Sequence, residues 1–293
     1  ESLTSACLTA FALRSIRNHS PFQSHSRSSS DQSLNQPNPA VTLTRTVEGN
    51  GDIAVISNLA KRYGTDGALV IDNLNLTIRA GEFVALVGAS GCGKSTLLNI
   101  LSGLDHQSSG QINLGAEPAL LFQEHALLPW LTAGKNIELA LKLIGMPKAE
   151  RGARAQELLE LVHLPHAYHL RPHELSGGMR QRVAIARALA QGRKFLLMDE
   201  PFAALDAITR DLLHEELIRI WEETGLTVLF VTHNVREAVR LGQRVILMSS
   251  RPGRIINEWH VAGEEHRRIE SPIVSQLSLE ITDELRKEIK RHG

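Results

Sequence analysis

The sequence predicts an α/β fold in which a parallel sheet carries helices on both faces and a small antiparallel subdomain precedes it. Two uncharged apolar segments, at 83–87 and 195–198, have the length and composition of strands that are covered on both sides. Strand-like and helical segments alternate through the second half of the chain. A glycine-rich loop lies between the first of these strands and a helical segment, at 88–96.

Length and composition are those of an ordinary globular protein. The 293 residues are 42% hydrophobic and 22% charged, which is enough for one large domain or two small ones. The formal net charge is zero, so the overall balance gives no indication of a nucleic-acid partner. Two cysteines, Cys7 and Cys92, are too few for a disulfide framework and indicate a reducing compartment. No apolar run approaches the roughly 18–20 residues of a membrane helix, so other chains would have to span any membrane at which the protein works.

Residues 1–50 differ in composition from the remainder and are expected to be a disordered leader. Ser, Arg, His, Gln, Asn and Pro dominate from Ser15 to Pro39. Three arginines without an intervening acid resemble a transit peptide. We favour a leader from an upstream start or a cloning remnant, because residue 1 is Glu. The folded part is expected to begin near Gly51.

Between residues 51 and 164 the spacing of apolar residues changes from a strand pattern to a helical one. Alternating segments at 53–56, 69–71 and 74–78 predict the small antiparallel subdomain, and a further strand pair is expected at 111–114 and 119–122. From 131 to 164 one helical apolar face contains Ile137, Leu141 and Ile144, and another contains Leu158, Leu159 and Val162, with Pro147 as a break between them.

The second half of the chain predicts the parallel sheet. Helices are expected at 178–190, 207–223 and 235–241, strands at 195–198, 227–231 and 245–248, and a charged amphipathic helix at 276–291.

The glycine-rich loop has the pattern G-x-x-x-x-G-K-[ST]. Its glycines allow backbone N–H groups to face an anion, and the following helix adds unpaired donors and a positive dipole end. Lys94 can then reach the outer phosphates, and the Ser95 hydroxyl can ligate Mg²⁺. A turn that carries a lysine by chance is the alternative, which the flanking strand and helix disfavour. We therefore predict a nucleotide site formed by Gly88, Ala89, Ser90, Gly91, Cys92, Gly93, Lys94, Ser95 and Thr96.

Asp199 and Glu200 follow the second buried strand. Acids at the carboxyl end of a central strand lie where open α/β sheets bind ligands. Asp199 is expected to hold Mg²⁺ through water, and Glu200 to orient and polarise the attacking water. Alone, the pair could simply cap the next helix.

The segment Leu175-Ser176-Gly177-Gly178-Met179 precedes a helix, for which Ser176 is a suitable N-cap. An isolated Ser-Gly-Gly would indicate only a well-capped helix. The order of glycine loop, Ser-Gly-Gly and Asp-Glu, however, resembles the ATP-binding cassette (ABC) family, whose signature is LSGGQ, with Met179 in place of Gln.

The resemblance covers residues of about 53 to 250 and assigns further sites. It implies that Gln123 contacts Mg²⁺ and relays to the helical subdomain, that Asp206 belongs to the D-loop, that His233 contacts the terminal phosphate and that Tyr63 stacks on adenine. It also implies a P-loop NTPase (RecA-like) core with an antiparallel β subdomain and an inserted α-helical subdomain at about 125–180. The ABC domain is expected at 51–259, and a C-terminal extension with a helix at 260–293.

Segments 127–130, 205–210 and 250–255 narrow the resemblance to the ATPases of nitrate, aliphatic-sulfonate and taurine importers. This implies a homodimer that holds ATP between Lys94 of one subunit and residues 176–178 of the other. It implies separate transmembrane permease subunits, an indirect link to a solute-binding protein, and a peripheral location on the cytoplasmic face of the membrane.

Two alternative functions remain at this point. A soluble ABC-type ATPase of DNA repair or translation would usually carry a coiled-coil insert or two cassettes, and a P-loop kinase would not explain residues 176–178.

Two residue patterns also invite other interpretations. His163, His166, His169 and His173 have metal-like spacing, but Pro165 and Pro172 interrupt any shared helix, so a linker is expected. Arg180, Arg182 and Arg187 resemble a basic stripe, but in a neutral protein they are expected to pack and pair locally.

Overall fold

The computed structural model describes residues 51–64, 67–261 and 271–292. The expectations for residues 1–50 lie outside the described residues, and the domain boundaries stay predictions. The strands are β1 (Asp52–Arg62), β2 (Leu69–Arg79), β3 (Phe83–Gly88), β4 (Ser109–Leu114), β5 (Pro118–Leu121), β6 (Phe195–Asp199), β7 (Thr227–Val231), β8 (Arg244–Met248) and β9 (Ile255–His260). The helices are α1 (Lys94–Leu101), α2 (Ala133–Leu143), α3 (Lys148–Leu161), α4 (Gly177–Leu189), α5 (Ala207–Thr224), α6 (Val235–Leu241) and α7 (Pro272–His292), with 3₁₀ turns at Pro165–Ala167 and Pro172–Glu174.

The larger sheet has the strand order β5-β6-β7-β3-β8-β9. All neighbours are parallel except β8 and β9, which are antiparallel. Strands β3, β7 and β8 are buried at every residue, which is why their sequences are apolar apart from Thr227 and Arg244 at the first positions of β7 and β8. Because β5, β6, β7 and β3 run in the same direction, their carboxyl ends meet at one edge, where the predicted site residues lie.

The smaller sheet is antiparallel, in the order β2-β1-β4, and confirms the predicted subdomain. Its alternating apolar residues face inward. Ile56 of β1 and Leu76 of β2 share a buried cluster with Val84 of β3 and Leu97 of α1. The smaller sheet thus packs against the strand and helix on either side of the glycine-rich loop.

One strand prediction was wrong and one strand was missed. Strands β4 and β5 do not form a pair, because β4 is bonded to β1 while β5 lies beside β6 in the parallel sheet. Neighbours in sequence were assumed to be neighbours in space. Strand β9 was not predicted, since its side chains are mostly exposed at the sheet edge and polar residues such as Asn257 and Glu258 interrupt any apolar run.

The helical segment follows the predicted break. Helix α2 ends at Leu143, and Pro147 directly precedes α3. Ile137 and Leu141 are buried as expected, but Ile144 is 46% exposed because it lies beyond the last turn of α2. The second apolar face, Leu158, Leu159 and Val162, is buried throughout.

Helix α7 begins before the predicted start and packs against the rest of the fold. Val274 and Ile281 are buried in the main core cluster. Glu288, which is 4% exposed, accepts a hydrogen bond from the backbone N–H of Ser250 at 3.1 Å. In the described part of the chain, no helix combines the length and the apolar composition needed to cross a membrane.

Candidate nucleotide site

The glycine-rich loop encloses the side chain of Lys94. Its ammonium donates to the carbonyl oxygens of Gly88 at 2.9 Å and Ala89 at 3.1 Å, and the residue is 6% exposed. Gly91 and Gly93 have φ values of 76° and 104°, a left-handed backbone that favours glycine. The loop therefore wraps around a buried positive charge at the N-terminus of α1, which suits a phosphate group.

Ser95 and Asp199 meet beside this loop. The Ser95 side chain lies close enough to the Asp199 carboxylate to lower its pKa, although the two residues come from α1 and the end of β6. Burial raises the pKa of Asp199, and the negative Glu200 adds to the rise, against the opposing effects of Ser95 and of the charge of Lys94. A hydroxyl and a carboxylate are oxygen ligands of the kind Mg²⁺ prefers, so these residues fit the ion.

Glu200 and His233 form a pair at the same edge. The Glu200 Oε2 atom lies 2.9 Å from Nδ1 of His233, and the backbone N–H of Glu200 donates to Val231 at 2.9 Å. Glu200 has φ of 43°, an unusual conformation for a residue other than glycine. Its side chain is 21% exposed and that of His233 58%, so both can be reached from solvent.

A buried network that sequence analysis missed supports His233. The Thr232 hydroxyl donates to Glu237 and accepts from the N–H of Asn234 at 3.0 Å, which encloses His233 in a fixed turn. Glu237 also lies 2.7 Å from Nε2 of His214 on α5. The sequence signal was one carboxylate on the short helix α6, and such a signal does not identify the hydrogen-bond partners.

Tyr63 directly follows β1 of the small sheet, and it is 50% exposed. Its hydroxyl donates to Asp105 at 2.7 Å, and the side chain of Thr96, which directly follows the loop motif, lies close enough to lower the pKa of Tyr63. Lys61 lies 4.5 Å from the ring centroid and also bonds Asp105. Burial and the bond to Asp105 raise the pKa of Tyr63. An aromatic ring is thus held beside the phosphate loop.

Gln123 is exposed just beyond β5, at the same sheet edge as Asp199. Leu121 and Met198 are register partners, so the residues that follow both strands leave the sheet side by side. The segment after Gln123 is held to α4 by Arg187, which donates to the carbonyls of Ala126 at 2.6 Å and His125 at 3.0 Å. Burial lowers the pKa of Arg187 to about 10.

Ser176 is the N-cap of α4, as predicted, and accepts from the N–H of Met179 at 3.2 Å. A Cβ on Gly178 would lie 2.5 Å from the Thr209 side chain, so this turn packs tightly against the start of α5. Asp206 caps α5 by accepting from Thr209 at 3.0 Å, and this bond lowers the pKa of Asp206. The structure therefore places residues 176–178 against the Asp206 segment.

The arginines of α4 and the histidines of residues 163–173 are the two remaining patterns. Arg180 donates to the Leu175 carbonyl at 2.7 Å and Arg187 to the carbonyl of Ala126, so local pairing is confirmed for these two arginines. His163 lies 3.4 Å from Glu216 on α5. Among residues 51–64, 67–261 and 271–292, no group of three His, Cys, Asp or Glu side chains is arranged to hold a metal.

One edge of the larger sheet thus brings together donors for phosphates, oxygen ligands for Mg²⁺ and a carboxylate that solvent can reach. The fold and this edge define a P-loop nucleotide-hydrolysing protein. A family model described as ABC transporter matches residues 71–203.

Known proteins extend this match. The chain is 49% identical over 204 residues to the nitrate import ATP-binding protein NrtD of Synechocystis, covering 67% of this chain and 77% of NrtD. It is 47% identical over 202 residues to the taurine import ATP-binding protein TauB of Sinorhizobium fredii, covering 66% and 76%. The dimeric post-hydrolysis structure of the cassette MJ0796 with ADP and Pi matches with a TM-score of 0.63 and 36% identity, over 72% of this chain and 99% of that one. The chain belongs to the ABC transporter ATP-binding proteins and is an ATPase of that family.

Proposed function

We propose that two copies of this chain hydrolyse Mg·ATP and thereby power the import of a small anion through separate membrane subunits. The observation that carries this proposal is the identity of 49% and 47% to proteins named for nitrate and taurine import. None of the described elements requires the alternative function, a soluble ATPase of DNA repair or translation.

The residues at the sheet edge take distinct roles in this proposal. Loop N–H groups and Lys94 bind the phosphates, while Tyr63 stacks on adenine. Ser95, Asp199 and Gln123 hold Mg²⁺, which when bound neutralises charge on the phosphate oxygens. Glu200 orients the attacking water and accepts its proton, and His233 contacts the terminal phosphate.

The second copy completes the site. Ser176 is exposed at the N-terminus of α4, a 13-residue helix whose first N–H groups and dipole favour an anion. We infer that residues 176–178 and Asp206 of one subunit close on the nucleotide held by Lys94 of the other. A cassette with 36% identity is described as dimeric with ADP and Pi, which supports this arrangement. Loss of the terminal phosphate then removes what both halves bind, and the interface opens.

In this role the chain lies on the cytoplasmic face of a membrane. The helical subdomain would transmit opening and closing to permease subunits, and a solute-binding protein would deliver the solute to them. Relatives named for nitrate and for taurine are almost equally similar to this chain, so the proposed substrate class is a small anion such as nitrate, taurine or another aliphatic sulfonate.

The dimer is tested with Glu200→Gln, which blocks hydrolysis. Light scattering should give the mass of a dimer when Mg·ATP is added and of a monomer when it is absent. The parent protein should lose specific ATPase activity on dilution, because the sites come apart. A variant that stays monomeric with Mg·ATP, together with a parent whose activity is unaffected by dilution, would overturn the shared site.

Import is tested by co-expressing the chain with a candidate permease and a candidate solute-binding protein from the same genome. Uptake of labelled nitrate or taurine into cells should require ATPase-competent protein and should stop with Glu200→Gln. Equal uptake with parent and variant would rule out this coupling.

A further inference from the structure

The loop of residues 249–254, between β8 and β9, lies directly against the glycine-rich loop. A Cβ on Gly253 would lie 2.1 Å from the Cys92 carbonyl oxygen, so no larger residue fits at this position. The Nε of Arg251 donates to the carbonyl oxygen of Gly91 at 3.0 Å. Residues 250–255 contribute to the family resemblance, but the sequence predicts no role for them.

The 249–254 loop is fixed to the small sheet. The N–H of Gly253 donates to Val70 at 2.8 Å, and the N–H of Asp72 donates back to Gly253 at 3.1 Å. Arg254 forms an ion pair with the Asp72 carboxylate. Arg251 therefore reaches Gly91 from a backbone that is itself bonded to β2.

Three further hydrogen bonds hold the loop, two within it and one to α7. The Ser249 hydroxyl donates to the Pro252 carbonyl at 2.7 Å and accepts from the N–H of Arg254 at 2.8 Å. Behind the loop, Glu288 of α7 accepts from Ser250. The charged group that touches Gly91 is thus carried by a braced segment rather than by a free surface loop.

The contact fixes the direction of one peptide group of the phosphate loop. In a planar trans peptide, the carbonyl of Gly91 and the N–H of Cys92 point in opposite directions. Arg251 holds the carbonyl on the outside, so the N–H points the other way, where it donates a long hydrogen bond of 3.3 Å to the Ala89 carbonyl oxygen across the turn. A bound phosphate would compete with that oxygen for the N–H. A guanidinium on the carbonyl also polarises the peptide, which makes that N–H a stronger donor to an anion.

We propose that Arg251 is a positioning residue for nucleotide phosphates, which orients the Gly91–Cys92 peptide so that its N–H meets the phosphate. The ligand class is a nucleoside diphosphate or triphosphate. The inference depends on nucleotide binding alone and not on dimerisation or transport, so its failure and that of the proposed function are separate results.

Calorimetry with Mg·ADP tests the role without hydrolysis. Arg251→Gln should weaken binding about 5-fold, the lower end for a charge-assisted hydrogen bond at an exposed position. Arg193→Gln is the matched control, because Arg193 pairs with Glu117 near the amino end of β6, away from the site edge. It should change affinity less than about 2-fold. Equal affinities for the parent and Arg251→Gln would overturn the proposal.

A positioning role also differs from a structural one in thermal unfolding. Arg251 is exposed, so Arg251→Gln should leave the unfolding temperature of the nucleotide-free protein nearly unchanged and reduce only the increase caused by Mg·ADP. Arg251→Lys, whose ammonium can still donate to the Gly91 carbonyl, should recover most of the affinity. A lysine variant as weak as the glutamine variant, or an equal loss of stability with and without Mg·ADP, contradicts the proposal.

Discussion

Oε2 of Glu200 lies 2.9 Å from Nδ1 of His233, across two neighbouring parallel strands. Each residue follows the end of its strand, and Asp199 of β6 is the register partner of Val231 of β7. Strand pairing therefore brings together two side chains that lie far apart in the sequence. Glu200 is held further by its own N–H, which donates to Val231.

Glu200→Gln should keep nucleotide binding and reduce ATP hydrolysis by about 10²–10⁴-fold, because the amide retains the size of the side chain but cannot accept a proton from water. Steady-state phosphate release and ATP binding by calorimetry measure the two effects. Turnover at the parent rate would show that Glu200 is not the base.

Lys94→Ala should weaken ATP binding by about 10-fold or more, since a buried ammonium that faces the phosphates is lost and two loop carbonyls lose their donor. Lys135→Ala is the control, because Lys135 is exposed and its side chain pairs with Glu138, which has no part in the site. Its ATP affinity should equal that of the parent. Unchanged affinity of Lys94→Ala would refute the phosphate role.

Asp199→Asn should make the nucleotide-free protein more stable at neutral pH. The folded-state pKa of Asp199 is raised above its ordinary value of 3.8, so the stability from its protonated form is present below that value and lost as pH rises through the folded pKa. The amide avoids this loss because it carries no charge at any of these pH values. The unfolding free energy should rise by roughly 0.5–2 kcal/mol, the usual gain from replacing a destabilised functional residue.

Urea unfolding of Asp199→Asn and of the parent at several pH values measures this difference. It should be small near pH 4 and increase as the parent carboxylate ionises. A difference that is constant with pH, or that shrinks as pH rises, would contradict the assignment.

Gly134→Ala and Gly152→Ala should have opposite effects on stability, although both glycines lie in helices. A Cβ on Gly134 would meet the Tyr168 ring at 2.5 Å, and that ring is held by a hydrogen bond to Glu138. Overpacking should cost about 1–3 kcal/mol. A Cβ on Gly152 meets Tyr168 only at 3.6 Å, so alanine should stabilise α3 by about 0.5–1 kcal/mol. Thermal unfolding decides the signs, and the same sign for both would refute this account.

The fold was predictable wherever a pattern is continuous along the chain. The buried strand at 195–198 and the amphipathic helix at 207–223 were found within one residue of β6 and α5. Predictions failed where pairing decides the outcome, as for β4 and β5, or where exposure removes the apolar signal, as for β9 and Ile144. The edge strand and the residue beyond a helix end face solvent, so their sequences are weakly constrained.

The sequence by itself determined the phosphate loop, because a run of glycines, lysine and serine between a strand and a helix encodes its backbone locally. It also placed Asp199 and Glu200 at a strand end. Only the tertiary structure decided that the Ser95 side chain lies beside Asp199, that Glu237 and His214 support the turn of His233, and that Arg251 holds Gly91. These contacts join residues of different strands, helices and loops, and no local periodicity records which side chains the packing of two sheets brings within hydrogen-bonding distance.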